Sequence, residues 1–160
     1  MTFLQGSEQF LIDIKGRITL PQYMRRSLNP EARDTFNLTR GFRRCILAYP
    51  IDQWEKIQNI LRGLNPFNPE NDKIITFLTM YSKEVTLDAQ NRILLPKVLL
   101  QYARIDSKVL IVGKIDHIEI WNPEEFDKIY TFDEQEYEQI FEKVLGSSYF
   151  NGESKEEPTG

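Results

Sequence analysis

Leu11-Ile-Asp13-Ile-Lys15-Gly16-Arg17-Ile18-Thr19-Leu20-Pro21 and Thr86-Leu-Asp88-Ala-Gln90-Asn91-Arg92-Ile93-Leu-Leu95-Pro96 are one pattern written twice. Asp, Arg, Ile, Leu and Pro recur at a constant offset of 75, five identities in eleven positions. Downstream, Gly41 aligns with Gly113 and Trp54 with Phe126, now at an offset of 72. The three-residue difference falls between Pro21 and Gly41, where Asn29-Pro-Glu-Ala-Arg-Asp34 reads as a surface loop. Loops are where a duplicated unit tolerates a change of length. The chain is therefore read as two copies of one small unit.

Each copy has the same expected elements. An alternating apolar run (Phe10, Ile12, Ile14; Val85, Leu87) predicts a strand. A four-residue turn and a second strand follow, stopped by Pro21 or Pro96. Proline suits the first turn of a helix, so helices are expected at Gln22–Leu28 and Lys97–Ala103. Strands Thr35–Leu38 with Cys45–Tyr49, and Lys108–Val112 with His117–Trp121, come next. A helix closes each copy, from Asp52 and from Pro123. The fold class is α+β, with flanking helices.

The Pro/Asn-rich stretch Arg62-Gly-Leu-Asn-Pro-Phe-Asn-Pro69 marks the boundary between copies. The expected organisation is a first module at 3–64, linker and helix at 65–82, and a second module at 83–130. A C-terminal helix at 131–146 and a tail at 147–160 complete it. Ile74, Phe77, Leu78 and Tyr81 are spaced for a helix over Glu70–Tyr81; Tyr137, Ile140, Phe141, Val144 and Leu145 are spaced for one over Asp133–Leu145. The second stripe needs a partner surface, on its own modules or on a second copy of the chain. The tail after Gly146 has too little apolar content to order itself.

At 160 residues and a net charge of −4, the bulk numbers do not by themselves suggest a nucleic-acid partner. The distribution is more informative. Residues 1–64 carry 10 Lys/Arg against 6 Asp/Glu, residues 65–121 carry 7 of each, and residues 122–160 carry 3 against 11. A basic face can thus form at one end while the C-terminus makes the whole acidic. No apolar run is long enough to cross a bilayer. The N-terminus lacks the basic and apolar stretches of a signal peptide, and a lone cysteine, Cys45, fits a reducing compartment. A soluble cytoplasmic protein is expected, with no membrane partner.

The repeated Asp-x-x-[Gly/Asn]-Arg corner carries the chemistry. Asp13 and Asp88 can accept backbone N–H groups two or three residues on. Gly16 and Asn91 reach positive φ cheaply. Arg17 and Arg92 then leave the corner in a fixed direction. A single such corner reads as a hairpin turn with an internal ion pair. Two at equivalent positions, one with Lys15, suggest the paired basic surface of a two-fold DNA reader.

At these residues the chain resembles the MraZ family, within the AbrB/SpoVT class of swapped-hairpin DNA binders. The resemblance rests on Asp13–Arg17 and Asp88–Arg92, and on Thr39-Arg-Gly-Phe-Arg-Arg-Cys45, Tyr49-Pro50, Trp54 and Ile118-Glu-Ile-Trp121. It implies two tandem pseudo-symmetric copies of a swapped-hairpin β-barrel module. It also implies a nucleoid-associated regulator, a repressor by expectation, of the division and cell-wall gene cluster. Such a regulator binds short direct repeats upstream of its own operon as a ring-shaped homo-oligomer. Carried across by position, Lys15, Arg17, Gln90 and Arg92 are the expected DNA-contacting residues, and Asp13, Gly16, Asp88 and Asn91 support the turns. Gln90 and Asn91 depart from the family's pattern, so the two corners are not equivalent.

Arg40, Arg43 and Arg44 form a secondary basic cluster, read first as a solvated loop and second as a phosphate or subunit contact. His117 has no nearby cysteine and reads as no metal ligand, and Cys45 reads as a small buried residue. Tyr49, Trp54 and Trp121 read as core or interface aromatics. No Ser/His/Asp set, Cys–His pairing, Gly-rich phosphate loop or metal-spaced cluster is present, so no enzyme, cofactor or small-molecule substrate is expected. The rival reading is a partner-binding, antitoxin-like assembly module, which salt dependence separates from a DNA binder.

Overall fold

A computed structural model describes residues 2–151, with side chains through Tyr149. Residues 2–126 form one compact unit, and the segment from Asp127 onward a second. The first contains eight strands: β1 Ser7–Leu11, β2 Arg17–Thr19, β3 Thr35–Arg40, β4 Ile46–Pro50, β5 Lys83–Thr86, β6 Arg92–Leu94, β7 Lys108–Gly113 and β8 Ile118–Trp121. Its helices are α1 Gln22–Arg26, α2 Ile51–Arg62, α3 Pro69–Thr79 and α4 Lys97–Tyr102; α5 Pro123–Ile129 ends the second copy. A 3-10 turn, Pro30–Ala32, occupies the expected loop, and a second, Phe42–Arg44, precedes β4. The chain is of mixed α+β class.

The two copies are not laid end to end. One antiparallel sheet runs β1-β7-β8-β4-β3-β5, and a separate antiparallel ribbon joins β2 to β6. The first strand of each copy therefore pairs with the third strand of the other: Phe10 opposes Val109 and Val85 opposes Phe36. The order reads the same from either end under exchange of the copies. Two pairings fix that pseudo-two-fold. Ile18 opposes Ile93 in the ribbon and Leu47 opposes Glu119 at the β4–β8 seam, and both pairs are repeat equivalents.

This corrects two expectations. The corner at Asp13 is not a hairpin, since β2 leaves β1 and pairs with β6 instead. No closed barrel is found, because β1 and β5 remain the edges of the sheet and the ribbon pairs only with itself. Backbone bonds continue each edge up to its corner, Ile12 N–H to the Ser107 carbonyl (2.8 Å) and Leu87 N–H to the Asp34 carbonyl (2.8 Å). The alternation breaks at Ile14, which is fully exposed because the corner has already begun.

Pro21 and Pro96 stand just outside α1 and α4, at φ −55° and −61°, and stop the ribbon without donating. The core between sheet and ribbon is built from equivalent pairs: Ile18 and Ile93, Leu20 and Leu95, Met24 and Leu99, Leu38 and Ile111, all buried. On the other side Cys45, Leu47 and Trp121 pack with Tyr49 and Phe126. The matched glycine Gly113 has a packing reason. A Cβ there would lie 2.5 Å from the Gln5 amide nitrogen, so the N-terminal segment can approach only a bare backbone.

In the second unit, α6 runs Glu134–Asn151 and continues past Gly146. The expectation that order ends at Gly146 is corrected through Asn151, and the rest of the predicted tail lies outside the described residues. One interior glycine costs a helix only about 1 kcal/mol, so it need not end one. Tyr137, Ile140, Val144, Leu145 and Tyr149 are exposed along this helix. No helix among the described residues is long and apolar enough to cross a membrane.

Candidate nucleic-acid interface

At the first corner, Asp13 Oδ1 accepts the backbone N–H groups of Lys15 (3.0 Å) and Arg17 (2.8 Å), while Oδ2 accepts Arg17 Nε–H at 2.7 Å. The second corner repeats this. Asp88 Oδ1 accepts from Gln90 (2.9 Å) and Arg92 (2.9 Å), and Oδ2 accepts Arg92 Nε–H at 2.8 Å. Gly16 at φ 83° and Asn91 at φ 58° supply the left-handed step that lets each turn close. Each aspartate is thus tied to both ends of its arginine, backbone and side chain. The Arg17 backbone N–H is the main cause that holds the Asp13 carboxyl below its ordinary value, against an opposing effect of burial. Asp88 is held down in the same way by Arg92.

The ribbon aims the two arginines together. Ile18 and Ile93 turn inward, so Arg17, Thr19, Arg92 and Leu94 share its outer face. Arg17 and Arg92 are equally accessible, at 26% each. They meet across the axis at one carboxylate, with Arg92 Nη1 3.8 Å from Asp13 Oδ2. Lys15 and Gln90 are exposed at the tips. With Nε engaged, Arg17 keeps its Nη end for an outside acceptor, the fork that matches a guanine edge or a phosphate, while Arg92 shares Nη1 with Asp13. The charge is modest: two aspartates offset two arginines, which leaves Lys15 as the formal excess.

The secondary basic cluster divides. Arg40 is no solvated loop residue but the last residue of β3. Its guanidinium lies 5.4, 4.7 and 5.5 Å from the ring centroids of Phe77, Tyr81 and Tyr102, and it donates to the Phe77 carbonyl at 3.4 Å. It clamps α3 and α4 to the sheet by cation–π contact. Arg43 and Arg44 remain exposed in the turn, Arg44 5.1 Å from the Tyr102 ring. None of the three lines the hollow beside the first corner.

His117 immediately precedes β8 and stacks on Tyr49 at 4.6 Å, with Asp116 Oδ1 2.7 Å from Nδ1 and Glu119 Oε2 3.7 Å from Nε2. Burial of the Tyr49 phenol and the Cys45 thiol pushes each up to about 12. Among the described residues no group of three or more His, Cys, Asp or Glu could hold a metal ion. Residues missed by the sequence reading lie around the first corner. Lys83 of β5 and Lys97 of α4 line the same hollow as Lys15. Only the strand exchange brings them there, so no local pattern could have found them.

Paired, carboxylate-braced arginines on one outer face of a pseudo-two-fold ribbon are a contact surface of the kind a binding protein presents. The comparisons agree. The family model described as "MraZ protein, putative antitoxin-like" matches residues 3–75 and again 78–146, once for each copy. The chain belongs to the MraZ family. It is 29% identical over 155 residues to the transcriptional regulator MraZ of Christiangramia forsetii, covering 96% of this chain and 100% of that one. It is 33% identical over 145 residues to that of Cytophaga hutchinsonii, covering 91% and 96%. With that of Dictyoglomus thermophilum it shares 36% over 123 residues, covering 77% and 82%.

Proposed function

We propose that this chain is a sequence-specific regulator that grips double-stranded DNA with its two Asp–Arg corners. The observation that carries this is the placement of Arg17 and Arg92 on one outer face of the β2–β6 ribbon, each anchored through Nε by its own aspartate. A fork fixed in direction before binding loses little freedom on meeting a base edge. The exchange of β1 and β5 supports reading the fold as the tandem swapped-hairpin arrangement, in open rather than barrel form. The family relation supports a site of action upstream of its own operon, on short direct repeats, with repression of a division and cell-wall gene cluster as the outcome. The exposed apolar stripe of α6 supports assembly into a homo-oligomeric ring in the nucleoid, where each subunit adds one corner pair to the repeats.

The test is a footprint of the protein on the DNA upstream of its own reading frame. Protection at regularly spaced repeats, lost in Arg17→Ala, is the expected result. The antitoxin-like alternative predicts no protection and partner binding that is insensitive to salt.

A further inference from the structure

We infer that Lys83 and Lys97, together with Lys15, hold the backbone phosphates of double-stranded DNA beside the first corner, so that a pseudo-symmetric face grips DNA unevenly. This rests on the reading of the two corners as DNA contacts. It adds residues on β5 and α4 that no repeat motif contains.

Beside the first corner lies a hollow of about 660 Å³. Lys15, Lys83 and Lys97 line it from three different elements, and all three are exposed. Their ammonium groups have no acidic partner among the described residues. Asp13 also lines the hollow but is committed to Arg17, which leaves Asp106 as the opposing charge. Lys15 and Leu94 belong both to this hollow and to the corner-and-ribbon surface, so the two regions are continuous.

The other half of the face is the control. Strand register makes Glu8 the counterpart of Lys83, because Glu8 opposes Ile111 as Lys83 opposes Leu38. The offset of 75 makes Gln22 the counterpart of Lys97 and Gln90 that of Lys15, and backbone pairing makes Arg33 that of Asp106, because Ile12 N–H bonds the Ser107 carbonyl as Leu87 N–H bonds that of Asp34. The formal charge of the four positions is +2 at the first corner and zero at the second. All three lysines are lost together, although each corner aspartate makes the same three hydrogen bonds within its own turn. Selection for an intact corner alone would leave these positions unconstrained.

The occupant follows from the chemistry. A site for one small anion would bury its donors and converge them, whereas these ammonium groups are solvated and spread over a corner, a strand and a helix. Such groups gain little from a single anion but much from a polyanion, whose condensed counterions they release. Lysine on a flexible stem suits phosphates, whose positions vary with register, better than base edges.

Full-length protein is titrated against a labelled duplex of the DNA upstream of its own reading frame and against a scrambled duplex, across a salt series. Lys83→Gln/Lys97→Gln is run beside Arg17→Ala, each checked for folding by circular dichroism. The expected result is a salt slope shallower by about 2 per engaged subunit, with the preference for the upstream duplex retained. The advantage of the parent over the double variant then shrinks about 12-fold per engaged subunit between 50 and 200 mM salt. Glu8→Lys/Gln22→Lys should steepen the slope instead. An unchanged slope in Lys83→Gln/Lys97→Gln, with Arg17→Ala still defective, overturns this inference and leaves the corner reading standing. Loss of duplex preference at an unchanged slope overturns it as well. So does saturable binding of inorganic phosphate that depends on Lys83 and Lys97 while DNA binding does not. A parent protein that binds neither duplex removes both readings at once.

Discussion

Replacing Arg17 by Lys separates the charge of the corner from its geometry. In the parent, Asp13 accepts the Arg17 backbone N–H at 2.8 Å and its Nε–H at 2.7 Å, so the guanidinium is held at its root while the Nη end faces outward. Lysine keeps the charge but donates from one nitrogen, so it cannot brace Asp13 at its root and still present a separate two-nitrogen fork to a base edge. If Arg17 reads a base edge through both Nη groups, Arg17→Lys should lose about 1–3 kcal/mol of discrimination, a factor of about 5–150 for each engaged corner. Arg17→Ala should lose as much and also change the salt dependence. It removes the charge that offsets Asp13, lowers the corner pair from a formal +1 to zero, and flattens the salt slope by about 0.9 per engaged subunit. If several subunits engage neighbouring sites, as proposed, these losses multiply over the engaged subunits. Arg92→Ala should cost less, because its flanking residue is Gln90 rather than Lys15 and its Nη1 already leans to Asp13 at 3.8 Å. Fluorescence anisotropy against upstream and scrambled duplexes at several salt concentrations measures both quantities. If Arg17→Lys keeps the parent's preference for the upstream duplex, the fork plays no part in recognition and the reasoning fails.

Ile18→Ala should destabilise the folded chain by roughly 2–5 kcal/mol, because Ile18 is fully buried where the ribbon crosses the pseudo-axis. Since Ile18 and Ile93 are cross-strand partners, urea midpoints of the single and double alanine variants should deviate from additivity. Asp13 and Asp88 have depressed pKa values in the folded chain, so their contribution is present above the ordinary carboxylate value of 3.8 and lost as pH falls through the lower folded values. Asp13→Asn/Asp88→Asn should therefore show a smaller loss of stability on acidification than the parent, and parallel acid unfolding curves would contradict this. At His117 burial disfavours the charged ring, but hydrogen bonds and charges from Glu119 and Asp116 outweigh it and raise the pKa above 6.5. That contribution is present below 6.5 and lost as pH rises through the raised value, so the stability gap between parent and His117→Gln should narrow on going alkaline. A gap independent of pH in denaturant titrations would rule this out.

The corners were legible because everything that makes them lies within five residues. Asp13 reaches only as far as Arg17, and the turn needs only a residue that tolerates positive φ, so the motif could be read twice from the linear chain. The partner of β2 was not legible. Alternation places Ile18 on a buried face but does not say whether that face closes on β1 or on β6, and the exchange is decided by packing both copies around one core. Arg40 shows the same limit. As one of three arginines in a short stretch it read as solvated, yet Phe77, Tyr81 and Tyr102, from 37 to 62 residues away, enclose it. The stretch after Gly146 read as a tail for want of apolar residues, yet one helix runs Glu134–Asn151, and its interior glycine costs too little to end it.

The interleaved fold explains which positions can differ between the copies and which cannot. Ile18 and Ile93, Leu20 and Leu95, Leu38 and Ile111 fill one volume about one axis, so a polar residue in either copy would sit inside the core of both. Those pairs are apolar without exception. The corner aspartates and arginines are likewise fixed, because each turn is closed by its own pair. Positions beside the corners are bound by neither demand. In a dimer of identical single copies, Lys83 would recur at the equivalent position of the other copy, and the two halves of the face would carry equal charge. Joining the copies in one chain removes that constraint, and Lys15, Lys83 and Lys97 stand opposite Gln90, Glu8 and Gln22. If the chain lies on direct repeats, as proposed, it needs a front and a back, because such repeats have a direction that a perfectly two-fold face would fail to read. On that proposal the unequal lysines supply the direction, while the symmetric core and corners supply the shape.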